Sequence, residues 1–96
     1  MYGQAFKGCT GLTEVLFNDR LDSIGDMAFS NCTSLKKVVL PDSVTDIGNQ
    51  AFEKCYKLSS IRLSDKLLRI GGRAFYRNYA LKKIRIPSRV KDVQGV

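Results

Sequence analysis

The chain has 96 residues, three cysteines, no histidine and a formal net charge of +7. Its ordinary apolar content argues against disorder, and no apolar run nears the roughly 20 residues that cross a membrane as a helix. The lack of histidine removes the commonest general base and every Ser–His or Cys–His nucleophile pair, so nothing in the composition points to an enzyme.

Taken from the N-terminus, the chain opens at Met1-Tyr2-Gly3 and reaches a pair, Ala5-Phe6, that returns every 23 residues. The later copies are Ala28-Phe29, Ala51-Phe52 and Ala74-Phe75. Other slots keep the same period. Cys9, Cys32, Cys55 and then Asn78 share one, and Leu12, Leu35, Leu58 and Leu81 another. Val15, Val38, Ile61 and Ile84 follow, with Phe17, Leu40, Leu63 and Ile86 two residues on. Leu21, Val44, Leu67 and Val90 precede Ile24, Ile47, Ile70 and Val93. A fixed period in the twenties marks a solenoid. The units run approximately over 2–24, 25–47, 48–70 and 71–93, within one domain spanning 1–96. Neither end carries a recognisable polar capping repeat. The sequence therefore reads as a segment of a longer protein, with any signal or anchor outside it.

Within a unit, Leu35-Lys36-Lys37-Val38-Val39-Leu40-Pro41 alternates near its end, which predicts a strand with Val38 and Leu40 inward and Lys37 and Val39 outward. Pro41 and Pro87 suit a strand end; Asn18 and Ser64 take that slot elsewhere. Val44-Thr45-Asp46-Ile47-Gly48 predicts a short second strand or extended turn. Gly48 supplies either an unusual backbone conformation or a close approach between turns. Ala51 and Cys55, four apart beside Phe52, predict a short helical turn. Phe6, Phe29, Phe52 and Phe75 are expected in one buried column of stacked rings.

The cysteines read as buried free thiols. Neighbouring turns would bring their Cα atoms within disulfide range, about 5 Å, but the odd count leaves at least one thiol free. The spacing is not that of a zinc site, and no cofactor is expected.

The unit I-G-x-x-A-F-x-x-C-x-x-L-x-x-[VI]-x-[LI]-P-x-x-[VL] resembles that of the BspA-like, or Treponema-type, leucine-rich repeat family. Ile47, Gly48, Ala51, Phe52, Cys55, Leu58, Ile61 and Leu63 stand at its motif positions, and nearly the whole chain is covered. Asn78 and the non-proline residues at 18 and 64 depart from it. The resemblance implies a right-handed leucine-rich-repeat coil with a parallel concave β-sheet, short second strands and short helical turns, mostly β with little helix. It also implies a surface or secreted protein that adheres to or binds host proteins. It names no ligand.

Charge is uneven. Residues 1–53 hold 4 Lys/Arg against 7 Asp/Glu, and residues 54–96 hold 12 against 2. One reading is solvation of exposed turns; the other is a docking surface for an acidic partner. The outward positions of the sheet give candidate partner-binding residues Lys36, Lys37, Val39, Arg62, Lys82, Lys83 and Arg85. That face has no aromatic residue for base stacking, so nucleic acid is not the expected partner. Bare ends and opposite charge also suggest self-association through the solenoid ends, in which case the segment is a structural spacer.

Overall fold

The computed structural model describes residues 5–82, 84–90 and 92–93, the last two as strand backbone. The strands are β1 (Glu14–Val15), β2 (Ser23–Ile24), β3 (Lys37–Val39), β4 (Asp46–Ile47), β5 (Ser60–Arg62), β6 (Arg69–Ile70) and β7 (Asp92–Val93). They form two parallel sheets, ordered β1-β3-β5 and β2-β4-β6-β7. The register is the sequence period itself: Val15 opposes Val38, and Val38 opposes Ile61. Ile24, Ile47, Ile70 and Val93 align in the second sheet. Each strand is two or three residues long because one 23-residue turn must also make its corners.

The third side of the coil is where the structure departs from the expected helical turn. No helix occurs among the described residues. Segments 26–31, 49–54 and 72–77 are successive tight turns. Each places two residues in the left-handed region: Met27 and Asn31, Gln50 and Lys54, Arg73 and Arg77, with φ between 56° and 63°. The cause is where the backbone donors go. Phe29 N–H donates to Ala51 O at 2.7 Å and Phe52 N–H to Ala74 O at 2.8 Å. Asn31 N–H donates to Glu53 O at 2.8 Å and Lys54 N–H to Tyr76 O at 2.7 Å. Donors committed to the neighbouring turn cannot close an i→i−4 ladder, so a helix does not propagate.

Gly48 and Gly71 are required by proximity. A Cβ on Gly48 would lie 2.6 Å from Asp26 N and 2.7 Å from Gly25 C, and one on Gly71 would lie 2.5 Å from Asn49 N. This selects the close approach over the special backbone conformation. The same corner is tied by side chains: Asn49 N–H donates to Asp26 Oδ1 and Gly72 N–H to Asn49 Oδ1, both at 2.8 Å. The two units without proline close their corner another way. Asn18 Oδ1 accepts from Arg20 N–H at 2.9 Å and Ser64 Oγ from Lys66 N–H at 3.1 Å. These short polar side chains fold the backbone two residues on.

The core fills the space enclosed by the three sides. Ile24, Phe29, Leu35, Leu40, Val44, Phe52, Leu58, Leu67 and Ile70 are all within 1% of complete burial. Phe rings stack along the axis, with centroids 5.2, 5.3 and 5.7 Å apart and planes within 7° of parallel. The expectation of four buried rings is corrected at one end. Phe6 lies against Phe29 but remains 39% exposed, because among the described residues no further ring stacks on its outer face. Cys9, Leu12, Val15, Phe17 and Leu21 are likewise only partly buried.

All three cysteines are free. Cys32 Sγ donates to Phe6 O at 3.2 Å and Cys55 Sγ to Phe29 O at 3.3 Å, so each thiol joins its turn to the one before. Asn78, in the same slot, accepts from Cys55 N–H through Oδ1 at 3.0 Å, and its buried Nδ2 has no partner among the described residues. Burial raises the Cys32 thiol pKa and pushes that of Cys55 up to about 12, with the Cys32 thiol adding to the effect on Cys55.

Phe52→Ala should cost about 3–5 kcal/mol, since it empties a slot between two rings. Phe6→Ala should cost clearly less, and chemical denaturation of both variants measures the difference. In thiol labelling, Cys9 should react first, while Cys32 and Cys55 should react only on unfolding. Because the folded state holds the Cys55 proton where the unfolded chain releases it, the linked stability is complete below pH 9.0 and falls as pH rises toward about 12. The slope is at most about 1.4 kcal/mol per pH unit. The pH profile of Cys55→Ala, lacking that decline, isolates the effect.

Candidate functional site

The outward face of the β1-β3-β5 sheet is built by alternation. Lys37 and Val39 flank buried Val38, and Ser60 and Arg62 flank Ile61. Backbone bonds from Lys36 N–H to Thr13 O and from Ser59 N–H to Lys36 O, both 3.0 Å, hold the rows in step. Lys36, Lys37, Val39, Arg62, Lys82 and Arg85 are all exposed. Lys83 lies outside the described residues.

These side chains are not electrostatically equivalent. Arg62 is 3.5 Å from both Asp42 and Asp65, so two carboxylates share its charge. Such exposed pairs are worth about 0–1 kcal/mol each. Arg85 instead lines a cleft of about 520 Å³ together with Arg62, Asp65, Ser88 and Arg89. The face therefore changes along the axis: apolar Leu16 (92% exposed) in the first turn, Val39 beside Lys36 and Lys37 in the second, and arginine and lysine beyond.

A second cluster escaped the sequence reading. On the turn side, Tyr56 and Tyr79 stack with centroids 5.7 Å apart and planes 4° from parallel. Beside them, Arg73 and Arg77 each lie 5.2 Å from the centre of the Tyr76 ring. A hydrogen bond and the charge of Arg77 hold the Tyr76 hydroxyl below the usual tyrosine range. The signal was present in part: Tyr56 and Tyr79 are one period apart, directly after Cys55 and Asn78. Among the described residues no group of His, Cys, Asp or Glu could hold a metal ion, and no helix is long and apolar enough to cross a membrane.

Two parallel sheets in 23-residue register, a phenylalanine column and a thiol ladder are the features against which likeness can be judged. The model of the BspA type leucine rich repeat region (6 copies) matches residues 2–95. The chain belongs to the BspA-type leucine-rich repeat family. Among solved structures, the Treponema pallidum leucine rich repeat protein superposes with a TM-score of 0.96 at 33% identity. A leucine rich cell surface protein from Faecalibacterium prausnitzii gives 0.88 at 35%. A leucine-rich repeat protein from Bacteroides ovatus gives 0.79 at 32%. The matches cover 98%, 96% and 95% of this chain, respectively. They span only 44%, 24% and 27% of the matched chains. No curated protein matches the chain. The leucine-rich repeat is a protein-interaction fold, and most of its motif residues are the buried ones described above.

Proposed function

We propose that this BspA-type segment is a non-catalytic interaction module of a surface or secreted protein, adhering to or binding a host protein through its concave face. That face is the β1-β3-β5 sheet. The observation that carries the reading is the set of exposed basic side chains along this side of the coil: Lys36 and Lys37 beside Val39 on hydrogen-bonded backbone, and Lys82 and Arg85 in the turn beyond β5, which adds no strand to the sheet. A rigid face of this kind loses little entropy on binding, and its charge steers an acidic partner. The cell-surface description of the Faecalibacterium prausnitzii protein supports the location. A photo-crosslinker at Val39, presented to host-cell surface proteins, should give a discrete adduct. Replacing Lys82, Lys83 and Arg85 with Ser, or raising salt, should remove most of it, since exposed charges are screened over about 8–10 Å near physiological ionic strength. An adduct indifferent to both would place the site elsewhere.

A second reading, a self-associating spacer, rests on the apolar first turn. Phe6, Val15, Leu16, Phe17 and Leu21 line a cleft of about 410 Å³ there. Under this reading the mass measured by light scattering rises with concentration, and Leu16→Glu abolishes the rise. A constant monomer mass at low and high salt removes it.

A further inference from the structure

Three exposed tyrosines and two arginines gather on the turn side, on the segments that lead from the second sheet back to the first. This is a different side of the coil from the β1-β3-β5 face. Tyr79 is 66% exposed, and Tyr56 and Tyr76 are 38% and 37% exposed. Exposed aromatics stacked on one another or under guanidinium groups are pre-ordered, so holding them for a partner costs little further entropy. Tyrosine and arginine are also the side chains that dominate protein–protein hot spots.

The geometry selects the partner. The ring faces are partly committed: Tyr56 and Tyr79 each spend one face on the other, and both guanidinium groups lie over Tyr76. What remains outward are ring edges, the outer face of Tyr79 and the N–H groups of the exposed Arg73 and Arg77. Their guanidinium forks match carboxylates, each able to bind one in bidentate fashion. The surrounding charge agrees, since Lys54 and Lys57 lie on the same side, and the nearby carboxylate of Glu53 is buried and accepts from Gln50 Nε2 at 2.7 Å.

We propose that the Tyr56–Tyr76–Tyr79 cluster with Arg73 and Arg77 is a second docking surface, which takes an extended Asp/Glu-rich peptide segment of a protein partner. The carboxylates engage the two guanidinium forks while the peptide backbone and side-chain stems cover the tyrosine edges. This surface acts independently of the sheet face.

The test is fluorescence anisotropy with a labelled oligoglutamate peptide and, in parallel, an oligodeoxythymidylate of equal charge. Arg73→Lys with Arg77→Lys keeps the net charge and removes the forks; it should weaken peptide binding by about fivefold or more. Tyr76→Ala, which removes the ring that positions both guanidinium groups, should weaken it to a similar degree. Substituting Ser for Lys37 and Arg85, on the sheet side of the coil, should weaken it less than either of these changes, because that face binds separately. Thermal melts of each variant exclude loss of fold. Peptide affinity unchanged in the Arg-to-Lys variant, or lost mainly in the sheet variant, would overturn the proposal. Tighter binding of the oligonucleotide that falls in the same variants would also overturn it and assign the surface to single-stranded nucleic acid.

Discussion

Backbone hydrogen bonding between successive turns is the constraint from which the rest follows. On the turn side it runs forward, as from Phe29 N–H to Ala51 O, and at the glycine corner it runs back, as from Gly48 N–H to Ile24 O. With every side of the coil tied to its neighbours, side chains one period apart are forced into contact. That is why the phenylalanines stack, why the thiols find carbonyls, and why Gly48 and Gly71 cannot carry a Cβ. The stability of such an array is close to a sum of neighbour terms. Nearly all the fully buried residues lie in the two middle turns, which have a neighbour on each side; Ile24 and Ala74, just outside them, are the exceptions.

Much of this was legible in the sequence because each core slot is sampled several times. A single Ile47 says little; Ile24, Ile47 and Ile70 in register fix the period and the inward face. The helical turn was misread for a definite reason. Ala51 and Cys55 have helical spacing, but the same spacing arises when Gln50 and Lys54 turn left-handed and the intervening donors reach the next turn. Pattern within one unit cannot distinguish a bond made locally from one made 22 residues away. Phe6 shows the complementary limit: it occupies the same slot as Phe29, but its exposure depends on what lies beyond it.

Candidate surface residues were legible in direction and not in company. Alternation placed Lys37, Val39 and Arg62 outward, as observed. It gave no hint that Arg62 is shared between Asp42, a diagonal neighbour on the adjoining turn, and Asp65, three residues on at the corner of its own turn. Nor did it bring Arg73 and Arg77 over Tyr76, an arrangement confined to one turn and so invisible to a search for repeated slots.

The thiol ladder has a bearing on how such a chain can change length. Cys32 reaches Phe6 O and Cys55 reaches Phe29 O, each across 26 residues, while the strands, the asparagine corner and the ring column all step by 23. Adding or deleting one whole unit leaves every one of these ladders intact and only moves the ends. Inserting a single residue between Phe29 and Cys55 would shift all of them at once, unless it bulged out at an exposed corner. Length in this architecture is therefore quantised: genetic duplication of a complete turn is close to neutral for the fold, whereas most small insertions are not.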